Sequence, residues 1–157
     1  QHKLLNRGKL QWQGLENYIL DSARTKGFRA CVFTGPVFRP DDPDIAPGVA
    51  TPLEFWKLVA MVDAERDVLH ATAYLLSQGQ MIRDLLEARS KVEAVEGFVL
   101  GEYRTFQISV HDLGEATGHD FSAYVAGDPL AKAAGQEAVE SGEPVYVPLD
   151  GLASIVT

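Results

Sequence analysis

The clearest periodic pattern in the chain is an apolar stripe near its start. Apolar side chains recur there at helical spacing, at Trp12, Leu15, Ile19, Leu20 and Ala23. Polar residues and glycine occupy the opposite side, at Gln13, Gly14, Asn17, Asp21 and Arg24. A stripe with this period is typical of a helix that packs on a core. Glycine follows it at Gly27, where helix ends favour that residue. The pattern therefore predicts a helix over Leu10–Lys26.

The next segments have the pattern of β-strands. The short apolar run Phe28–Thr34 is stopped by Gly35-Pro36, which predicts a buried strand. Cys31 lies in this run, so we expect its thiol to be buried as well. Two longer apolar runs, Leu53–Val62 and Val68–Leu76, flank a short polar loop, which is typical of an antiparallel hairpin.

The last third of the chain predicts smaller elements. Side chains alternate over Tyr103–Val110, which indicates another strand. We expect helices at His111–Thr117 and Leu130–Ser141 and an edge strand at Val145–Val147, whereas Gln80–Glu96 is ambiguous between loop and helix. The predicted fold class is α+β, with an antiparallel sheet flanked by helices.

Composition supports one globular domain over residues 1–157. Hydrophobic residues make up 46% of the chain and charged residues 23%, which is enough for a core and argues against disorder. No apolar run approaches the roughly 20 residues that cross a bilayer, so no membrane partner is expected. The net charge is −8. Residues 1–39, however, hold seven basic and two acidic side chains, which suggests that this end faces a polyanion.

Several common catalytic signatures are missing from the sequence. It contains no phosphate-binding glycine-rich loop, no Gly-x-Ser-x-Gly and no His-Glu-x-x-His. The pairs His111-Asp112 and His119-Asp120 invite a triad, but neighbouring residues rarely face each other and no serine stands in a special turn. The acidic residues of the 39–52 loop do not follow the calcium-loop order, which favours a solvated loop.

Glu16 departs from the apolar pattern of the first helix. An ionised carboxylate on a stripe that faces the core costs free energy unless it is paired. Two interpretations remain open: Glu16 sits at the edge of the stripe or meets an arginine in the fold, or else this end of the stripe faces a polar site. Just upstream, Asn6 lies in an Asn-Arg-Gly turn. An amide oxygen followed by a carboxylate would suit a hard cation such as Mg²⁺.

These residues carry a resemblance to a known family. The motifs that carry it, in order, are Leu5-Asn6-Arg7-Gly8, Trp12-Gln13-Gly14-Leu15-Glu16, Val32–Phe38 with Thr34-Gly35-Pro36, Pro52–Lys57, and Tyr103–Val110 with Thr117-Gly118. Together they resemble the DNA/RNA non-specific endonucleases, the ββα-metal nucleases that include secreted bacterial nucleases and mitochondrial endonuclease G. The resemblance covers about residues 1–130.

The resemblance implies a nuclease mechanism and a set of site residues. Asn6 would bind Mg²⁺, or alternatively Mn²⁺, and Glu16 would orient the metal's water ligands. Family members often place an arginine one turn after the glutamate, where this chain has Leu20. Arg24, one turn further on, is the substitute candidate for a phosphate contact; the alternative is a solvated surface arginine. The partners implied are the backbones of DNA and RNA, with a homodimer left open.

The family's general base implies a further expectation about the chain. That base is a histidine in an Asp-Arg-Gly-His motif upstream of the asparagine, and the motif is absent from these residues. We therefore expect the C-terminal part of a nuclease domain, incomplete at its N-terminus and inactive alone, whose site needs the upstream segment. The alternative is a non-catalytic module derived from this fold that binds nucleic acid or protein. The resemblance favours a secreted or periplasmic location.

Overall fold

The sheet and its helices are seen in a computed structural model that describes residues 12–40, 42–63, 65–77, 104–133, 146–149 and 155–156. The helices are α1 (Trp12–Lys26), α2 (Val110–Thr117) and the short α3 (Ser122–Val125). The strands are β1 (Arg29–Val37), β2 (Asp44–Ala46), β3 (Val49–Ala50), β4 (Glu54–Asp63), β5 (Val68–Ser77), β6 (Arg104–Ile108) and β7 (Tyr146–Pro148). No described helix has the length and apolar character needed to cross a membrane.

Five of the strands form one antiparallel sheet. Their order is β1-β4-β5-β6-β7, and β2 and β3 pair separately as a small ribbon. The hairpin of β4 and β5 is paired from Glu54 opposite Ser77 to Asp63 opposite Val68. Asp63 shapes its turn, since Oδ1 accepts hydrogen bonds from the N–H groups of Glu65 and Arg66 at 3.0 and 3.2 Å. The predicted hairpin is therefore confirmed.

Helices cover both faces of the sheet. The helix α1 packs on one face, in a core that comprises Leu15, Ile19, Val59, Tyr74 and Leu76. The helices α2 and α3 cover the other face, whose core comprises Val37, Trp56, Leu58, Ala71, Ala73, Leu75, Ile108, Val110 and Leu113. Neighbouring residues of β4 fall in different cores because successive side chains of a strand point to opposite faces. The predicted α+β class, with helices flanking an antiparallel sheet, is confirmed.

The strand β1 differs from its prediction in length and burial. It continues through Gly35 and Pro36 to Val37, and Cys31, Val32 and Phe33 are exposed. The expectations of a buried strand and a buried thiol are wrong. Within the described residues, β1 pairs only with β4 and therefore lies at the edge of the sheet. Its apolar composition had suggested a central, buried strand. Proline is tolerated in such a strand because an edge leaves some N–H groups unpaired.

The apolar stripe of α1 is narrower than predicted. Leu15 and Ile19 are buried, whereas Leu20 is 56% exposed, so its placement on the core face is wrong. Leu20 follows Ile19 by about 100° around the helix, and the sheet covers only the Ile19 side. The helix ends as predicted at Gly27, whose φ of 69° suits glycine. The side chain of Trp12 and the start of the predicted helix lie outside the described residues.

The later elements largely follow their predictions. The strand β6 ends at Ile108, and Val110 begins α2 rather than ending the strand. Ser109 causes this change, because its Oγ accepts a hydrogen bond from the N–H of Asp112 and caps the helix. The predicted edge strand is seen as β7, paired with β6. The segment Gln80–Glu96, and the second predicted helix beyond residue 133, lie outside the described residues.

Candidate active site

Glu16 lies at the margin of the contact between α1 and the sheet. Its side chain is 46% exposed, and Oε1 accepts a hydrogen bond from Nζ of Lys57 at 2.5 Å. The helix presents Leu15 and Ile19 to the core, so Glu16 reaches the sheet from the edge of the same stripe. One of the two sequence interpretations anticipated a paired acid at this edge, but with an arginine. The partner is a lysine from the sheet.

Lys57 approaches Glu16 from the middle of β4. It pairs in register with Thr34 on β1 and Tyr74 on β5, and its side chain is 1% exposed. The alternation along the strand sends it to the face that α1 covers. Burial lowers the pKa of the Lys57 ammonium, while the hydrogen bond and charge of Glu16 oppose that shift. The ammonium is thus removed from water and directed at the Glu16 carboxylate.

Of the other predicted site residues, Arg24 lies away from this pair. Arg24 is exposed on α1, two turns beyond Glu16. Asn6 lies outside the described residues, so its predicted place beside Glu16 stays a prediction. Across the described residues, no group of three or more His, Cys, Asp or Glu side chains could hold a metal by itself. A metal at Glu16 would depend on water ligands or on residues beyond these ranges.

The described histidines lie away from Glu16. His70 is exposed and its ring stacks on Phe28, with centroids 6.1 Å apart. His111 lies 3.7 Å from a carboxylate oxygen of Asp112. His119 approaches the ring of Trp56 edge-on, at 5.7 Å between centroids. The contacts of these histidines are thus to other side chains, and none is made to the Glu16 carboxylate.

A cleft of about 430 Å³ opens on the opposite side of the sheet from α1. It is lined by α2, α3 and the segment between them, with polar side chains at His111, Glu115, His119, Asp120 and Ser122. Its volume falls within the range of small-molecule sites. Val110 and Gly118 in its lining belong to motifs of the family resemblance, but no lining residue is a predicted site residue, whereas Glu16 on α1 is one. We therefore place the candidate site at Glu16.

Sequence reasoning missed Lys57, although a signal was present. Both Glu16 and Lys57 are single charges in otherwise apolar patterns, one acidic on a helix and one basic on a strand. A charge in the apolar pattern of one element is expected to meet an opposite charge from a neighbouring element, because a buried charge without a partner is costly. An acidic residue in one apolar pattern and a basic residue in another therefore indicate a contact between the helix and the strand that carry them.

Comparison with known proteins agrees with the motifs around this site. The family model described as DNA/RNA non-specific endonuclease matches residues 1–128, a stretch that runs from the start of the sequence through α3. The chain belongs to that family. No solved structure matches the chain. A curated relative, "Uncharacterized protein y4fB" of Sinorhizobium fredii (strain NBRC 101917 / NGR234), is 39% identical over 117 residues.

The relative is much longer than the part it shares with this chain. The match covers 74% of the chain but 17% of the relative, so the chain spans about a sixth of that protein's length. The family is described as DNA/RNA non-specific endonucleases, and enzymes of this family typically depend on a metal. The family does not by itself identify the metal, the site residues or the substrate of the complete protein.

Proposed function

We propose that this chain is part of a Mg²⁺-dependent endonuclease that hydrolyses phosphodiester bonds of DNA and RNA without reading bases, with Mn²⁺ as the substitute ion. Asn6 would bind the ion and Glu16 would orient its water ligands. Arg24 would contact a backbone phosphate. The general base would be a histidine other than the four in this sequence, and its activated water would leave 5′-phosphate ends. A secreted or periplasmic location belongs to the same proposal.

The observation that carries the proposal is the position of the Glu16 carboxylate, which is held on one side and exposed on the other. It lies within the residues that the family model matches. One oxygen is fixed by Lys57, and the side chain keeps 46% of its surface exposed. A carboxylate that is anchored on one side and open on the other suits hydrogen bonds to the water ligands of Mg²⁺, which keeps several waters in proteins. Among the residues assigned to the site, Glu16 therefore supports a role beside that ion.

Each residue has a defined task in this proposal. The Asn6 amide oxygen would hold the ion directly, and Glu16 would accept hydrogen bonds from its waters. When bound, Mg²⁺ supplies positive charge that stabilises the negative charge developing on the phosphate. Arg24 would bind the polymer through its phosphates, which carry no base information. The excess of basic residues in 1–39 supports contact with a polyanion.

The experiment compares variants of the complete gene product that contains this chain. Asn6→Ala and Glu16→Gln should each lower Mg²⁺-dependent cleavage of plasmid DNA and of RNA by about 10–100-fold, as losses around a metal commonly do. Glu16→Gln should also lower the melting temperature, because it removes the charge that pairs with the buried Lys57, so cleavage is compared per folded molecule at a temperature below the melt. Asp21→Asn is the matched control, since Asp21 is another exposed acid on α1, and it should keep full activity.

The same assay tests the alternative, a non-catalytic module. A complete protein that retards DNA and RNA in a gel but never cleaves them, with Mg²⁺ or with Mn²⁺, would favour the module over the nuclease. Unchanged cleavage by both Asn6→Ala and Glu16→Gln would instead show that the nuclease is real and the site assignment is wrong.

A further inference from the structure

Lys57 and Glu16, although paired, differ greatly in how far they are buried. The lysine side chain is 1% exposed, whereas the glutamate side chain is 46% exposed. Lys57 projects to the face of the sheet where Val59 and Tyr74 form the core beneath α1. An apolar side chain at this position would fill the same space without desolvating a charge. The lysine therefore calls for a reason other than the filling of the core.

Stability does not supply that reason. Removing an ammonium from water is costly, and an ion pair often does not offset that cost relative to an apolar side chain of similar size. The partner here is only half buried, which weakens the attraction further because water screens the exposed carboxylate. The pair is poorly suited to stabilise the fold. It is well suited to fix a direction, since Nζ holds one carboxylate oxygen at 2.5 Å.

We infer that Lys57 is a positioning residue for the proposed nuclease site: it holds Oε1 of Glu16 so that Oε2 is presented to the water ligands of the bound ion. The inference rests on the proposed function. A glutamate on a helix surface has several rotamers of similar energy, and only some of them direct an oxygen at a given water. A rigid donor from the central part of β4 selects one of them. Lys57 acts through Glu16 and does not touch the substrate.

The test uses the complete gene product, with Mn²⁺ as the metal probe. Binding of Mn²⁺ is followed by calorimetry and cleavage of plasmid DNA is followed separately. Lys57→Met keeps the length and removes the charge. We expect its Mn²⁺ affinity and its cleavage rate each to fall about tenfold, at the low end of what outer-shell residues cost. Its melting temperature should stay the same or rise. Lys132→Met removes an exposed lysine and should change neither.

A combination of variants shows whether Lys57 acts through Glu16. If it does, Lys57→Met should weaken Mn²⁺ binding no further in a Glu16→Gln background, because the carboxylate it positions is gone. Additive losses would overturn the inference, and so would wild-type affinity and cleavage in Lys57→Met. Should Lys57→Met fail to fold, Lys57→Leu takes its place, since it too removes both the charge and the donor, and the same outcomes apply.

Failure of the proposed function gives a different result. If the wild-type protein binds Mn²⁺ in a Lys57-dependent way but cleaves no nucleic acid, the nuclease proposal fails while the positioning of Glu16 stands. If the wild-type protein neither binds Mn²⁺ nor cleaves, both fail. If it cleaves normally and the Lys57 variants match it, the positioning role alone is wrong.

Discussion

The backbone N–H of Val110 donates a hydrogen bond to Oδ2 of Asp128 at 2.8 Å, and Oδ1 of the same carboxylate accepts one from the N–H of Leu130 at 2.9 Å. Asp128 is fully buried. Burial raises the pKa of its carboxyl, and the backbone hydrogen bonds oppose that shift. One side chain thus accepts hydrogen bonds from N–H groups at the start of α2 and at the start of the helical turn at 129–133. These two bonds link the two segments.

Asp128→Ala should therefore destabilise the domain strongly. It removes an acceptor from at least two buried N–H groups, and hydrogen bonds to a charged group are each worth about 1.5–3 kcal/mol. We expect a loss of about 3 kcal/mol in the free energy of unfolding, measured by urea denaturation. Asp120→Ala is the control: that carboxylate accepts from the N–H of Ser122 at 3.0 Å but is exposed, so its loss should be much smaller. Equal losses would contradict the buried role of Asp128.

Tyr74 predicts an alkaline weakening of the fold. Burial raises the pKa of its phenol from 10.0 to about 12. Between these values the unfolded chain has released the phenolic proton and the native protein still holds it, so the free energy of unfolding falls as the pH rises. Because one pKa unit corresponds to about 1.4 kcal/mol, the loss should reach about 2 kcal/mol near pH 12.

The measurement compares thermal melts near pH 9 and near pH 12. Tyr74→Phe should lose less stability than the wild type over this interval, because phenylalanine has no proton to release. Tyr146→Phe, which changes a tyrosine that is 43% exposed, should behave like the wild type. A wild-type alkaline loss that persists unchanged in Tyr74→Phe would refute the prediction.

Gly127 is expected to be intolerant of any side chain. A Cβ there would lie 2.9 Å from the carbonyl oxygen of Leu69 and 3.1 Å from the amide nitrogen of Ala71, both of them backbone atoms of β5. The carbonyl of Gly127 also accepts a hydrogen bond from that same amide at 2.9 Å. Gly127→Ala must push the two segments apart, and we expect a loss of about 1–3 kcal/mol.

Gly27→Ala is the matched control for this change. Its Cβ would meet nothing within 4 Å, although its φ of +69° disfavours alanine. It should cost about 1 kcal/mol from backbone strain alone. Chemical denaturation of both variants separates the cost of the clash from the cost of backbone strain. A loss of unfolding free energy in Gly127→Ala no larger than that in Gly27→Ala would contradict the predicted clash.

Arg24 should affect the salt dependence of binding if it contacts phosphate. In the complete gene product, Arg24→Ala should weaken binding to duplex DNA of any sequence. It should also reduce the slope of log affinity against log salt by about 0.9, the value for one phosphate contact. Arg66→Ala, at an arginine whose side chain is 81% exposed in the β4–β5 turn, should leave the slope unchanged. An unchanged slope for Arg24→Ala would make it an ordinary surface arginine.

The strands and helices were predicted correctly where the apolar positions of the sequence are also the buried positions of the fold. Leu15 and Ile19 were placed on the core face of α1, and the β4–β5 hairpin was predicted within about one residue at its ends. The pattern failed where position in the sheet decides burial. An apolar strand has the same composition at an edge as at the centre, so β1 and Cys31 were expected to be buried. The prediction that Leu20 faces the core was wrong because the sheet covers only one side of the apolar stripe.

The candidate site was predictable only in part, because its contacts are non-local. The departure of Glu16 from the apolar stripe was visible in the sequence. Its partner was also visible as a charge in an apolar strand, but the pairing was harder to predict, since Lys57 lies 41 residues away and strand alternation alone does not say which face a helix will cover. The roles of Asn6 and Arg24 rest on the family resemblance and stay predictions.

The exposure of Cys31 has a practical consequence for studying this protein. It is the one cysteine in the sequence, and it lies opposite Ala60 on the outer strand of the sheet. A maleimide dye or a nitroxide spin label can therefore be attached at a single known position in these residues without first replacing competing thiols. A signal from that position would report directly on whatever approaches this edge of the molecule.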